Sequence, residues 1–159
     1  MSNVVSIHIA DRESEPTRRV AQIRAVAGKG LEGDRYFDIL AKDGNAKKTG
    51  RHATLIEAEA LDALTREYGV TLAPEESRRN LITRGVALNH LVGVEFQVGE
   101  AVLRGMRLCE PCEHLERMTR PGVRKGLIHR GGLRAEVVRD GLICEGDAIR
   151  PISGASSPV

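Results

Sequence analysis

The stretch LRAEVVRDGLICEGDAIRP, Leu133 to Pro151, decides the fold class. Two short apolar runs, AEVVR and LICEG, flank Asp140-Gly141, and an Asp-Gly pair is the residue choice of a two-residue hairpin turn. A hairpin is therefore expected there. Working back from it, VEFQVG, AVLRGMRL and NLITRG read as further short strands separated by turns, with Val94, Phe96 and Val98 forming a period-two set. Several short strands with one main helix and short helical turns predict a mainly β, β-rich α+β fold: a small, mostly antiparallel, barrel-like domain.

The first half extends this pattern. NVVSIHIA and RRVAQIRAVAG read as strands, because Val4, Ser6 and His8 alternate with Val5, Ile7 and Ile9, while DRESEPT links them as a loop. From Ala27 to Arg51 the chain is rich in Gly, Lys and Asp without sustained periodicity, which predicts a long irregular segment; such segments are usually functional or mobile. In TLIEAEALDALTREYG, Thr54 and Glu57 have capping-box spacing and Ala58, Leu61, Leu64 and Tyr68 recur at helical intervals before Gly69. A helix is expected there, with Glu57, Asp62, Arg66 and Glu67 on its solvated face. The tail SGASSPV is expected to fray.

A chain of 159 residues fits a single domain, and about 70% of the surface of an unfolded chain this long can be buried on folding. Only 3% of residues are aromatic and none is Trp, so the core must be aliphatic and base stacking is poorly served. The net charge of +2 conceals basic clusters in TRRV, ESRRN and RPGVRKGLIHRGGLR, which favour a small anionic ligand over a nucleic-acid track. The amino terminus lacks the basic start and apolar run of a signal peptide, and no stretch is long and apolar enough to span a membrane. A cytoplasmic, soluble protein is expected, in which its three cysteines are ligands, nucleophiles or filler rather than disulfides.

Two of those cysteines lie in RLCEPCEHLE, Arg107 to Glu116. Cys109 and Cys112 make half of a zinc site, which Cys144, His114 or His129 would have to complete. A thioredoxin-type dithiol would place the pair in a βαβ setting, whereas here it lies among meander-like strands. A reactive or metal-ligating thiolate in an anion pocket and an inert buried cysteine are the other readings. Cys144, in the apolar run LIC, reads as core; His8, His52 and His90 read as structural. GKGLEGDRY lacks the order of a phosphate-binding P-loop.

Taken in order, GLEGDRY, RHATLIEAEALDAL, SRRNLITRGVALNHLVGVEFQVGEAVLRG, RLCEPCEHLE and HRGGLRAEVVRDGLICEGDAIRP resemble the MOSC domain, named for the carboxy-terminal domain of molybdenum cofactor sulfurases, from about Val4 to Pro151. The resemblance implies a compact, β-rich fold with a strongly curved, barrel-like sheet, and a functional cysteine that carries sulfur as a persulfide or ligates molybdenum. Cys112 matches the family's Pro-Cys pattern; Cys109 belongs to a subset with LCEPC and is a possible second metal ligand. The pyridoxal-phosphate domain of the sulfurases and the extra amino-terminal segment of the amidoxime-reducing relatives do not fit within these 159 residues.

A molybdenum cofactor, a pterin with a dithiolene and a phosphate, needs a soft ligand at the metal and cations at the phosphate, where the arginine fork pairs best. The candidates are Cys112 for the metal and catalysis, Arg79 and Asn80 for the pterin or phosphate, and Arg134 with Arg130 after a Gly-Gly turn whose N–H groups could approach an anion. Asp34 and Arg35, in EGDRY, either close over the cofactor or orient the long loop, and His114, outside the catalytic set, either affects the protonation of Cys112 or caps the short segment EHLERM. The implied activity is reduction of N-hydroxylated substrates with electrons from a redox partner, since no flavin, haem or iron-sulfur motif is present. The alternatives are a persulfide carrier served by a sulfur-donor protein and a non-catalytic zinc-stabilised binding module.

Overall fold

The computed structural model describes residues 1–44 and 50–152. In chain order its elements are β1 (Asn3–Ile9), β2 (Arg18–Val20), β3 (Gln22–Val26), β4 (Gly30–Leu31), α1 (Ile39–Asp43), β5 (Ala53–Glu57), α2 (Ala58–Tyr68), β6 (Leu81–Arg84), β7 (Glu95–Val98), β8 (Ala101–Leu108), α3 (Glu113–Met118), α4 (Val123–Gly126), β9 (Leu133–Arg139), β10 (Gly141–Cys144) and β11 (Ile149–Pro151). Short 3-10 turns lie at Pro74–Ser77 and Leu88–Leu91. The expected tail SGASSPV lies outside the described residues, as does part of the long irregular segment.

An eight-stranded sheet runs β11-β7-β8-β9-β5-β6-β1-β2 and a three-stranded sheet runs β10-β3-β4. The mainly β class is as expected, although the larger sheet is open rather than closed into a barrel. Among the named strands every pairing is antiparallel except β5 with β6, where α2 forms the crossover of a βαβ unit. Leu55, Leu81, Leu103 and Leu133 of the larger sheet pack with Ile23, Ala25, Leu31 and Ile143 of the smaller one in one aliphatic core. The opposite face of the central strands, through Ile56 and Ile82, packs with Leu61 and Leu64 of α2 and with Leu115, Val123 and Leu127.

Burial on both faces explains two departures from the sequence pattern. Residues 53–57 form a strand, and α2 begins only at Ala58, so Thr54 does not cap a helix. A strand covered on both sides reads as a continuous apolar run, without the alternation that would set it apart from the helix that follows. Glu57 accordingly sits at the strand-helix junction, where Oε2 accepts from the Leu88 N–H at 3.0 Å and burial raises its pKa. Asp62, Arg66 and Glu67 are exposed, as expected.

The other departures occur where the chain changes sheets. RRVAQIRAVAG is not one strand: it breaks at Ala21, with β2 pairing to β1 and β3 to β10. Asp140-Gly141 does not close a hairpin, because β9 pairs with β5 and β8 while β10 pairs with β3. Asp140 Oδ1 instead accepts from the Ala27 N–H at 2.6 Å, and a Cβ at Gly141 would lie 2.3 Å from the Glu100 carbonyl carbon. Asp-Gly is thus required for a crossing between layers. Among the described residues no helix is long and apolar enough to cross a membrane.

Candidate functional site

A cavity of about 360 Å³ opens beside the start of α3. Its walls come from the loop at Arg35 and Tyr36, from Arg51 and Thr54 at the start of β5, from Arg78 and Arg79 ahead of β6, from the turn after β8, and from Arg134 on β9. These elements converge because β8, β9, β5 and β6 are neighbours in the sheet, with Thr54 opposite Arg134 in the register. Cys112 is exposed at the edge of α3, and Cys109 is buried, with 4% of its surface accessible.

Five guanidinium groups line this cavity, and they are held in different ways. Arg79, 8% exposed, spends its Nε on the Gly131 carbonyl at 2.8 Å, Nη1 on Ser77 O at 3.3 Å and Nη2 on Cys109 O at 3.2 Å. It therefore clamps the cysteine turn to the Gly131 turn. Arg35 donates from Nη1 to Asp34 at 3.0 Å and from Nη2 to Arg78 O at 2.9 Å. Arg78 is a non-glycine residue at φ 61, donating from Nη1 to Glu15 O, and burial together with neighbouring Arg35 lowers its pKa. Arg51 has a buried Nε with no hydrogen-bond partner among the described residues, and Arg134 makes no side-chain hydrogen bond or ion pair among them.

Tyr36 supplies an aromatic face within this group, its ring centroid 4.8 Å from the Arg35 guanidinium and 5.9 Å from that of Arg51. Among the described residues the one carboxylate in the walls, Glu110, is engaged by His129 through the backbone N–H at 2.7 Å and Nδ1 at 2.9 Å. Positive charge is therefore left in excess, and an anion that enters relieves the repulsion among the arginines.

Several expected site residues fall elsewhere. Asn80 is fully buried: its Oδ1 accepts from Thr54 N at 3.0 Å and Oγ1 at 3.2 Å, and its Nδ2 donates to His8 O at 3.0 Å. Its amide is spent on joining β1, β5 and β6. Arg130 points its Nε to Gly126 O and its Nη2 to Glu67 Oε1, tying α4 to α2 outside the cavity. Asp34 lies beneath the wall, its Oδ1 taking the Ala10 N–H at 3.1 Å as well as Arg35, so it orients the long loop. The Gly-Gly turn serves close packing, since a Cβ on Gly131 would lie 2.5 Å from Cys109 O and one on Gly132 2.0 Å from Leu55 O.

The zinc ligands do not converge: among the described residues no three of His, Cys, Asp and Glu come together to hold a metal ion. Cys144 faces a different cavity, beside Asp147 and Glu100, and is half-buried rather than core, because Ile143 takes the inward position of β10. His114 lines the arginine cavity and His129 lies outside it. His8 and His52 are structural, His8 bonded to Ser6 Oγ at 2.8 Å and His52 Nδ1 accepting from Val137 N at 3.0 Å.

Arg51, Arg78 and Tyr36 were not singled out from the sequence. Arg78 shares the basic pair of ESRRN, Tyr36 ends EGDRY and Arg51 opens RHATLIEAEALDAL, so each lies in a stretch that carries a signal.

Comparison with known proteins supplies the family. The model of the MOSC domain matches residues 43–150. No curated protein sequence matches the chain. Among solved structures, YuaD of Bacillus subtilis is similar at a TM-score of 0.78 and 21% identity, covering 94% of each chain. YiiM of Geobacillus stearothermophilus is similar at 0.73 and 17% identity, covering 99% of this chain and 80% of that one, and YiiM of Escherichia coli at 0.71 and 20%, covering 99% and 72%. At these identities the likeness shows a shared fold, and with the family model matching more than half of its length the chain belongs to the MOSC domain family.

Proposed function

We propose that the protein binds the molybdenum cofactor in the arginine-lined cavity and reduces N-hydroxylated substrates with electrons from an external donor. The observation that carries this reading is an exposed cysteine on the wall of a cavity that also holds five guanidinium groups, two of them with unspent hydrogen-bonding capacity. The donor set fits the group: a thiolate suits a soft metal, and Arg51, Arg78 and Arg134 offer forks for a phosphate. The remaining N–H groups of Arg79 and Arg35 add positive potential from the wall.

When bound, the cofactor would supply two-electron redox chemistry, and reduction of an N-hydroxyl group would consume two electrons and two protons and release water. The chain's own contribution is positional. The Arg79 clamp holds the turn that presents Cys112, and Tyr36 offers a flat surface between two cations. His114 brings ring nitrogens that can deliver a proton into the same space.

The test is the molybdenum and pterin content of protein made in a host that synthesises the cofactor, for wild type and Cys112→Ser. About one of each per chain, with the metal lost in the variant, is the expected result. Protein without molybdenum, despite confirmed synthesis in the host, overturns the reading.

The exposed Cys112 thiol also supports a second reading, a persulfide carrier, because a cationic wall favours an anionic persulfide. Mass spectrometry after incubation with a cysteine desulfurase and cysteine would then show one added sulfur on Cys112 and none on Cys112→Ser.

A further inference from the structure

Glu110 stands two residues before Cys112 on the wall of a space that five guanidinium groups line, yet it pairs with none of them among the described residues. Both its oxygens go instead to His129, outside the cavity: Oε1 accepts from the backbone N–H at 2.7 Å, and Oε2 lies 2.9 Å from Nδ1. Burial draws the Glu110 carboxyl upward, but the bonds from His129 outweigh it and leave the pKa lowered. The group is therefore an anion, and since a carboxylate only accepts, Nδ1 carries the proton between them.

His129 is committed to this grip at every polar point of its backbone. It sits in the turn between α4 and β9 at φ 64, in the left-handed region, and its carbonyl accepts from Asn89 Nδ2 at 2.8 Å. The pair is nevertheless open to water, with 79% of the His129 side chain and 45% of the Glu110 side chain exposed, so it is weak. Nor is it needed to join the two turns, because Arg79 already bonds both Gly131 O and Cys109 O, and Gly131 packs directly against Cys109 and Pro111. A carboxylate so loosely held has another destination close by: Arg51, with its unspent Nε, and Arg134 line the same cavity.

We infer that His129 is a positioning residue that keeps Glu110 out of the arginine cavity, and that without its ring the carboxylate turns inward and takes the place of the anionic ligand. A tethered carboxylate competes at high effective concentration, so the grip decides whether the cavity is open to a phosphate group or closed by the chain itself. The inference rests on reading the cavity as an anion site and does not depend on molybdenum.

The experiment compares alkylation of Cys112 by iodoacetate, which is anionic, and by iodoacetamide, which is neutral, in the full chain at low salt. Mass spectrometry that resolves Cys112 from Cys109 gives the two rates, and their ratio reports the potential at the cavity wall while cancelling exposure and thiol ionisation. In wild type the ratio is expected to exceed that of 2-mercaptoethanol. His129→Gly, which the left-handed backbone tolerates, should lower it about threefold as the released carboxylate offsets the arginines. His129→Asn, which also tolerates that backbone and keeps a side-chain N–H donor, should retain it. His129→Gly combined with Glu110→Gln should restore it, whereas a pair that only held two turns together would leave the double variant no better than the single one. An unchanged ratio in His129→Gly, or a double variant as low as the single, overturns the inference and leaves the anion site standing. A wild-type ratio no higher than that of 2-mercaptoethanol sinks the anion site and the inference with it.

Discussion

Arg79 is a buried cation whose visible partners are three backbone carbonyls rather than a carboxylate. Such a group contributes through geometry: its fork spans two turns that lysine, a point donor on a flexible stem, cannot bridge together. Arg79→Lys is therefore expected to cost about 2–4 kcal/mol in denaturant unfolding and to free the cysteine turn. A neutral alkylating reagent should modify exposed Cys112 readily in wild type and spare buried Cys109, and in the variant Cys109 should become reactive. Unchanged protection of Cys109 would show that the clamp does not hold the turn. A second residue-level prediction concerns pH. Burial lowers the pKa of His8 and of His52 below the usual histidine value, and His52 Nδ1 must be unprotonated to accept from Val137 N. The unfolded chain binds these protons first, so the stability contributed by the neutral rings is present in full above about pH 7 and is lost as pH falls from about 6.5 toward the folded pKa values. His52→Asn, which keeps an acceptor without a titrating ring, should flatten the fall in melting temperature between about pH 7 and pH 5.5.

At the scale of elements, the turns that meet at the site are fixed by backbone contact. Gly132 has φ +118, and a Cβ there would lie 2.0 Å from Leu55 O on the adjacent strand β5. Gly132→Ala should cost at least about 3 kcal/mol, whereas Gly69→Ala, at the end of α2 with φ +65 and open space around it, should cost about 1 kcal/mol. Similar losses at the two positions, measured by urea unfolding, would mean that close packing at Gly132 is not decisive. The same contacts explain what could be read from the sequence. Period-two patterning located β7, and the α2 repeat located a helix, because each has one buried and one wetter face. Strand β5 was hidden because both its faces are covered, and Asp140-Gly141 was misread because the identity of a turn residue does not say which strand comes next. At the site, residue type was legible but its commitments were not. Asn80 and Arg130 have suitable chemistry, yet their hydrogen bonds are spent elsewhere, and only the fold shows that Arg51 keeps a donor unspent.

Across the whole molecule, a net charge of only +2 coexists with five guanidinium groups in one cavity, so charge is concentrated rather than abundant. Burial first, and the nearby Arg35 after it, lower the pKa of Arg78, so its charge is held at a cost in the folded chain, and an anion that binds only the folded chain offsets that cost and adds stability. Inorganic pyrophosphate, a compact stand-in for a phosphate-bearing ligand, should therefore stabilise the protein. At a hundredfold excess over its dissociation constant the gain is about 2.7 kcal/mol, or about 5–10 °C in melting temperature for a domain of this size. Arg134→Gln and Arg51→Gln should each lose most of that response, because these side chains hold the unspent donors. Arg104→Gln, which removes an exposed partner of Glu95 on β8, should keep it. The response should shrink as added salt shortens the screening length, while a purely aliphatic contribution would not. If pyrophosphate raises the melting temperature of Arg134→Gln as much as that of wild type, the anion binds elsewhere on the basic surface and the cavity is not its site.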